Sequence, residues 1–277
     1  MRFLTPLRST PRHLLALGMA ASLALGAAGA ATALAAPSTA TSPATSPATS
    51  PAATTATTCA RTDVKCVIAF GDQRIDERTA GLTRLNDRAN FQVAAGHITS
   101  SQASAIQADV TSNQNGLATL KSKLDAETAA DAARQDVRNI YTQFRIFAVV
   151  LPRDYHEIVL DIMTNVQAKL AGLEPKLQQA IASAPPGEQQ QLNTLYSDFT
   201  ARVDAASAQI TNANSLVSSF TPDNFNNNQA TYHTNWLNFR SDILAGRADL
   251  RQAASDLHQM AQLLKSSAPS ATATPGA

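Results

Sequence analysis

Apolar residues recur at alternating intervals of four and three from about residue 62 to residue 265, a spacing that holds a narrow stripe on one side of an α-helix. The last run is the most regular: Tyr232, Trp236, Phe239, Ile243, Gly246, Leu250, Ala253, Leu257, Met260 and Leu264 keep the alternation without a slip. The first run, Val64, Ile68, Gly71, Ile75, Arg78, Leu82, Leu85 and Ala89, predicts a helix from Thr62 or Asp63 to about Ala95, stopped by Gly96-His97. A second helix starts near Ser100 on Ile106, Val110, Asn113, Leu117, Leu120 and Leu124. No glycine or proline interrupts it after Gly116, so it is predicted to run unbroken to about Val150. Leu124 and Val137 are thirteen residues apart, one short of two heptads, so the stripe turns by about 100° between its halves, as if each half met a different partner.

The densest apolar stretch lies at Ile140 to Arg153, where Ile140, Phe144, Phe147 and Leu151 share a face with Val137. They are the expected structural core, together with Pro152 and Trp236. Proline disfavours α geometry in the residue before it, so Leu151-Pro152 predicts a break. Asp154 and Glu157 then have capping-box spacing for a third helix carrying Tyr155, Val159, Ile162, Val166, Leu170, Leu173 and Leu177. Pro175 should kink that helix or end it early. Pro185-Pro186-Gly187 makes a turn, and a fourth helix carries Leu192, Leu195, Phe199, Val203, Ala206, Ile210, Ala213, Val217 and Phe220. Thr221-Pro222-Asp223 and four nearby asparagines form the loop before the fifth. The expected fold is all-α, an elongated antiparallel bundle or coiled coil of about five long helices, some ~50 to 75 Å in length.

The two ends read differently. Residues 1–35 have the build of a signal peptide: Arg2, Arg8 and Arg12, an apolar Leu14 to Ala28, and a small-x-small cleavage site at Ala33-Leu34-Ala35. Residues 36–58 are almost wholly Pro, Ala, Ser and Thr, with the unit Thr-Ser-Pro-Ala three times over, and predict a disordered spacer. A similar tail spans 266–277 and lacks a Leu-Pro-x-Thr-Gly sorting signal. The helical domain is therefore placed at 59–265, secreted or otherwise extracytoplasmic, and no transmembrane segment is expected in the mature chain.

Charge narrows the partners. The chain has 22 Lys+Arg and 21 Asp+Glu, and removing three leader arginines leaves 19 against 21. Such an overall balance predicts no electrostatic footprint for nucleic acid or acidic lipid. Cys59 and Cys66 are the only cysteines, and in an exported chain they are expected to form a disulfide. His97, His156, His233 and His258 have no metal-ligand spacing, and no nucleophile elbow, P-loop or dinucleotide fingerprint occurs. His156 beside Asp154 and Glu157 is the best polar cluster, but capping accounts for those carboxylates. Arg78 and Asn113 on apolar stripes read as register-fixing or edge residues, and Trp236 with Tyr232 and Phe239 as core before binding platform. No catalytic residue, metal or cofactor is expected.

Ile140-Tyr141-Thr142-Gln143-Phe144-Arg145-Ile146-Phe147 followed by Val149-Val150-Leu151-Pro152 resembles a pattern in exported, alanine-rich all-helical proteins of high-GC Gram-positive bacteria, the actinobacteria. Thr221-Pro222-Asp223 before the last helix is also similar. The resemblance implies export and a helical fold and transfers no active site. The function expected is a non-enzymatic structural or interaction module at the cell surface, its partner an unidentified protein or cell-envelope component. The alternative is an extracytoplasmic binder of lipid or another apolar ligand through amphipathic helices.

Overall fold

A computed structural model describes Cys59, Ala60 and residues 62–266. The predicted signal peptide, spacer and tail lie outside the described residues, apart from Ser266. Every regular element described is helical: α1 (Val64–Ala94), α2 (Ser100–Asp125), α3 (Ala130–Asn139), two π-helical turns (Ile140–Phe144 and Ile146–Val150), α4 (Leu151–Ala171), α5 (Glu174–Ala182), α6 (Pro186–Val217), α7 (Pro222–Asn227) and α8 (Gln229–Ser266).

These helices fill two apolar cores. The first joins α1, α2, α3, the π turns and the start of α4 around Leu82, Leu85, Leu117, Leu124, Ile140 and Ile146. The second joins α4, α5, α6 and α8 around Leu160, Met163, Leu192, Phe199, Phe220 and Phe239. Helix α4 belongs to both. Leu151 and Ile158 face the first core, whereas Leu160, Met163 and Leu170 face the second. At 3.6 residues per turn these are different sides of one helix.

Local chemistry explains the ends. The Asp63 carboxylate accepts the Cys66 amide at the start of α1, and Cys59 and Cys66 are joined in a disulfide beside this cap. Gly96, at φ +68, closes α1, since glycine enters the left-handed region without a Cβ clash. Thr99 and Gln102 then cap α2 reciprocally. Small residues let helices approach closely. A methyl group on Gly116 would come within 2.5 Å of Phe144 Cε1, and one on Gly246 within 2.6 Å of Met163 Cε.

Four expectations are corrected. The second helix does not run to Val150: it ends at Asp125, and the chain reverses so that α3 lies beside Lys123 and Leu124. The one-residue slip between Leu124 and Val137 marks a turn, not a rotating seam. Leu151-Pro152 does not break the chain either. Proline lies in the first turn of α4, where its missing N–H costs little, and the real break is seven residues earlier at Arg145 (φ 48, ψ 34). Asp154 is no cap: it lies inside α4, buried and bound to Arg153. Finally, Phe147 is not core. It is 47% exposed, because the left-handed residue between Phe144 and Phe147 sends the two rings to different faces. Phe144 is partly buried in the first core, Trp236 is partly buried against the second, and Ile140 is fully buried.

Gly116→Ala tests the close packing. Alanine is the better helix former by about 1 kcal/mol, yet the clash with Phe144 should lower stability by about 1–3 kcal/mol net. Gly187→Ala, which meets nothing within 4 Å, should cost nothing. Thermal unfolding that ranks Gly116→Ala at or above the parent would refute this packing.

Candidate functional site

Two polar features flank the region where the cores share α4. The first is a seam between α2 and α4. Asp154, Glu157, Asp161 and Asn165 are spaced by three and four and so line one stripe of α4. Gln102 of α2 donates through Nε2 to Asp161 Oδ1 at 3.0 Å, and Asn165 Nδ2 donates to Gln102 Oε1 at 3.0 Å and to the His97 carbonyl at 2.9 Å. Arg153 is the cation of the seam. Its Nε donates to Asp154 Oδ1 at 2.6 Å, one terminal nitrogen pairs with Asp109 of α2, and the other donates at 3.4 Å to the Phe220 carbonyl just past α6.

Carboxylates outnumber that cation. Burial pushes the Asp154 carboxyl up to about 7 despite Arg153, with Asp109 adding to the rise. Burial likewise raises Asp161 to about 6, helped by Glu157, and raises Glu157 itself. Asp154 Oδ2 is buried with no hydrogen-bond partner, which disfavours its charged form. Among the described residues no group of three or more His, Cys, Asp or Glu side chains is placed to hold a metal. His156 turns away from the seam. Its Nδ1 donates to the Pro152 carbonyl at 2.7 Å, its ring meets Trp236 edge-on at 5.1 Å, and burial lowers its pKa.

The second feature is a surface of arginines and rings. Phe70, Arg74, Glu77, Gly81, Arg84, Arg88 and Phe91 follow a strict four-three spacing along α1, one position before the core stripe. Arg74 lies 4.8 Å from the Phe70 ring centre and Arg88 5.7 Å from that of Phe91. The buried guanidinium of Arg78 lies between Tyr141 at 4.5 Å and Phe147 at 5.1 Å. A methyl group on Gly81 would meet Phe147 Cε1 at 3.2 Å and Leu151 Cδ1 at 3.0 Å, so the ring crosses α1 where the helix carries no side chain. Phe91 is 60% exposed and Tyr141 39%.

Arg145 holds this surface in place. Its carbonyl accepts the amides of Ala148, Val149 and Val150, and its side chain is clasped by α7. Nε donates to Asn226 Oδ1 at 2.8 Å, the guanidinium lies 4.6 Å from the Phe225 ring centre, and Asn226 Nδ2 donates to the Thr142 carbonyl at 2.7 Å. A non-glycine residue in the left-handed region costs about 1–3 kcal/mol and persists only where its surroundings enforce it.

No family model, curated protein or solved structure matches the chain. The site therefore rests on its own geometry. Sequence reading placed Asp154, His156 and Glu157 together, but as a cap and its neighbour; it missed Asp161, Asn165, Gln102, Asp109 and Arg153. The signal was present in the three-and-four spacing of polar residues along the third helix. Arg78 on its apolar stripe was noted, but its two rings come from a break that no glycine announces.

The raised carboxyls fix the sign of a pH effect. Their folded-state pKa values exceed the ordinary ones, so the folded chain binds protons more tightly than the unfolded chain does. That stabilisation is complete below about pH 4 and is lost as pH rises through 6 and 7. The melting temperature should fall between pH 5 and pH 8, and Asp154→Asn should flatten the fall. Arg153→Met should cost about 3–5 kcal/mol by stranding two carboxylates, more at pH 8 than at pH 5. A pH-independent Arg153→Met penalty would contradict the seam's charge balance.

Proposed function

We propose that the chain is a non-enzymatic, extracytoplasmic helical module that acts by binding a component of the cell envelope. The observation that carries this reading is the exposed arginine–aromatic surface on α1 and the π turns. Soluble helices bury phenylalanine; here Phe91 and Phe147 stay at the surface, beside arginines, on a backbone bent to present one of them. The seam's polar groups, by contrast, are engaged with one another across α2, α4 and the end of α6, as suits a joint between helices.

The leader-like residues 1–35 and the Pro/Ala/Ser/Thr segment at 36–58 support export on a spacer. No helix among the described residues is long and apolar enough to cross a membrane. The disulfide at Cys59–Cys66 suits an oxidising compartment.

Expression in the native host tests the reading. The chain should be recovered from the medium or wall fraction with its N-terminus near Ala36. A photo-crosslinking residue at the exposed Ala148, beside Phe147, should capture envelope material, and one at the exposed Ala201 of α6 should not. Recovery of an intact Met1-containing membrane protein, or equal capture from both positions, would overturn it.

A further inference from the structure

The geometry points to an anionic lipid surface as the partner of the α1 arginine–aromatic face; this rests on the interaction-module reading and names its ligand. Phe70 and Phe91, 21 positions apart, mark the ends of a stripe about 32 Å long along the axis, with Arg74, Arg84 and Arg88 between them. Beside its midpoint stand Tyr141 and Phe147, on either side of Arg78. Only Glu77 shares the stripe as an acid, and it is paired with Arg74 at 2.8 Å. Arg84 and Arg88 are exposed and make no ion pair among the described residues. Asp76 projects about 110° round the helix from the middle of this stripe, and Asp87 about 90°, at its edge three residues from Arg84.

Several occupants can be compared by physics. A second copy of the same face would bring arginines against arginines. A carbohydrate would stack on open ring faces, but guanidinium groups already lie over Phe70, Tyr141, Phe147 and Phe91. An inserted peptide needs a groove, whereas these rings line neither the depression at Gly96, Thr99 and Lys169 nor the one at Gln190 and Asp198. A bilayer surface needs none of these. Phosphates diffuse independently to each guanidinium, and the exposed ring edges of Phe91 and Phe147 enter the headgroup–acyl boundary. Aromatic residues and arginine are the side chains that suit that boundary, with apolar body below and charge above.

The left-handed Arg145 adds an independent observation. A continuous helix would have kept Phe147 near the core face with Phe144; the break, clasped by Asn226 and Phe225, turns it to the arginines instead. A backbone held in an unfavourable conformation thus leaves a ring at the surface beside the arginines.

The experiment is co-sedimentation of the chain from Ala36 onward, which contains all the described residues, with vesicles of phosphatidylcholine alone or mixed with phosphatidylglycerol. Binding should need phosphatidylglycerol and weaken as salt rises. Arg84→Gln with Arg88→Gln should lower the partition coefficient about twenty-five-fold, at about fivefold per arginine. Phe91→Ser should also weaken it, with the melting temperature little changed because that ring is 60% exposed. Leu237→Ser with Leu244→Ser, removing the exposed leucines of α8, should leave binding unaltered. No binding to anionic vesicles, or equal binding by the arginine variant, overturns the proposal. Capture of envelope protein through Ala148 with no vesicle binding would do so too, while leaving the interaction-module reading standing.

Discussion

The guanidinium of Arg153 is where the two halves of the helical unit are tied, and most of the other arrangements near α4 follow from it. It reaches Asp109 on α2, Asp154 on its own helix and the carbonyl of Phe220 after α6. One planar group with fixed donors thus satisfies acceptors from the first core, the shared helix and the second core. A lysine could supply the charge but not three diverging donors in one plane. Because α4 buries opposite sides against different cores, its remaining side must be polar yet enclosed. That side is the seam, and Arg153 is its cation. Burial raises the pKa values of Asp154, Glu157 and Asp161, and the neighbouring carboxylates of Asp109 and Glu157 add to the rise.

The break at Arg145 follows from the same demand on α4. The rod formed by α3, the π turns and α4 must present Val137 and Ile140 to the first core, then Val149 and Leu160 to the second. A straight helix with one continuous stripe cannot do both. Two π turns on either side of a left-handed residue reset the phase, so that Val149 and Val150, neighbours in sequence, fall into different cores. The clasp comes from α7, which leads into α8 of the second core. An element leading into the second core therefore stabilises the bend from which the chain goes on to serve both cores.

Much of the fold was legible in the residues. The four-three stripes of α1, α6 and α8 carry long regular signals, and the structure buries Ile75, Leu82, Phe199, Ile210, Phe239 and Leu250 from them. Gly96-His97 sits at the chain turn it announces, whereas the stretch expected as a loop after Thr221 forms the short helix α7 capped by the Thr221 side chain. What periodicity missed lies between 125 and 154. Alanine at 126, 129 and 130 does not forbid helix, so the reversal there depends on Val137 docking against Gly71, a distant contact. Arg145 has no residue-type mark at all, since arginine is a good helix former. Pro152 was the conspicuous breaker, but a proline within the first turn of a helix is tolerated. The seam was hidden for a related reason: Asp154 and Glu157 satisfy a local capping pattern, and only long-range partners on α2 show that they do something else.

The candidate surface and the interior are consequently two outcomes of one backbone event. Phe144 and Phe147 flank Arg145; one ring packs over Gly116 of α2, the other over Gly81 and Arg78 of α1. If burial alone governed this stretch, the cheaper sequence would place a small or polar residue at 147, because an exposed phenylalanine gains little from its ring and favours association. Arg78 supplies the counter-argument. It is almost wholly buried, and burial lowers its pKa, so a charged guanidinium has been taken out of water next to two rings whose faces attract it. Those rings partly replace its hydration only if they stand where Tyr141 and Phe147 do, at the rim. The buried arginine thus fixes the half-exposed rings, and the half-exposed rings give α1 its aromatic, cationic outer face.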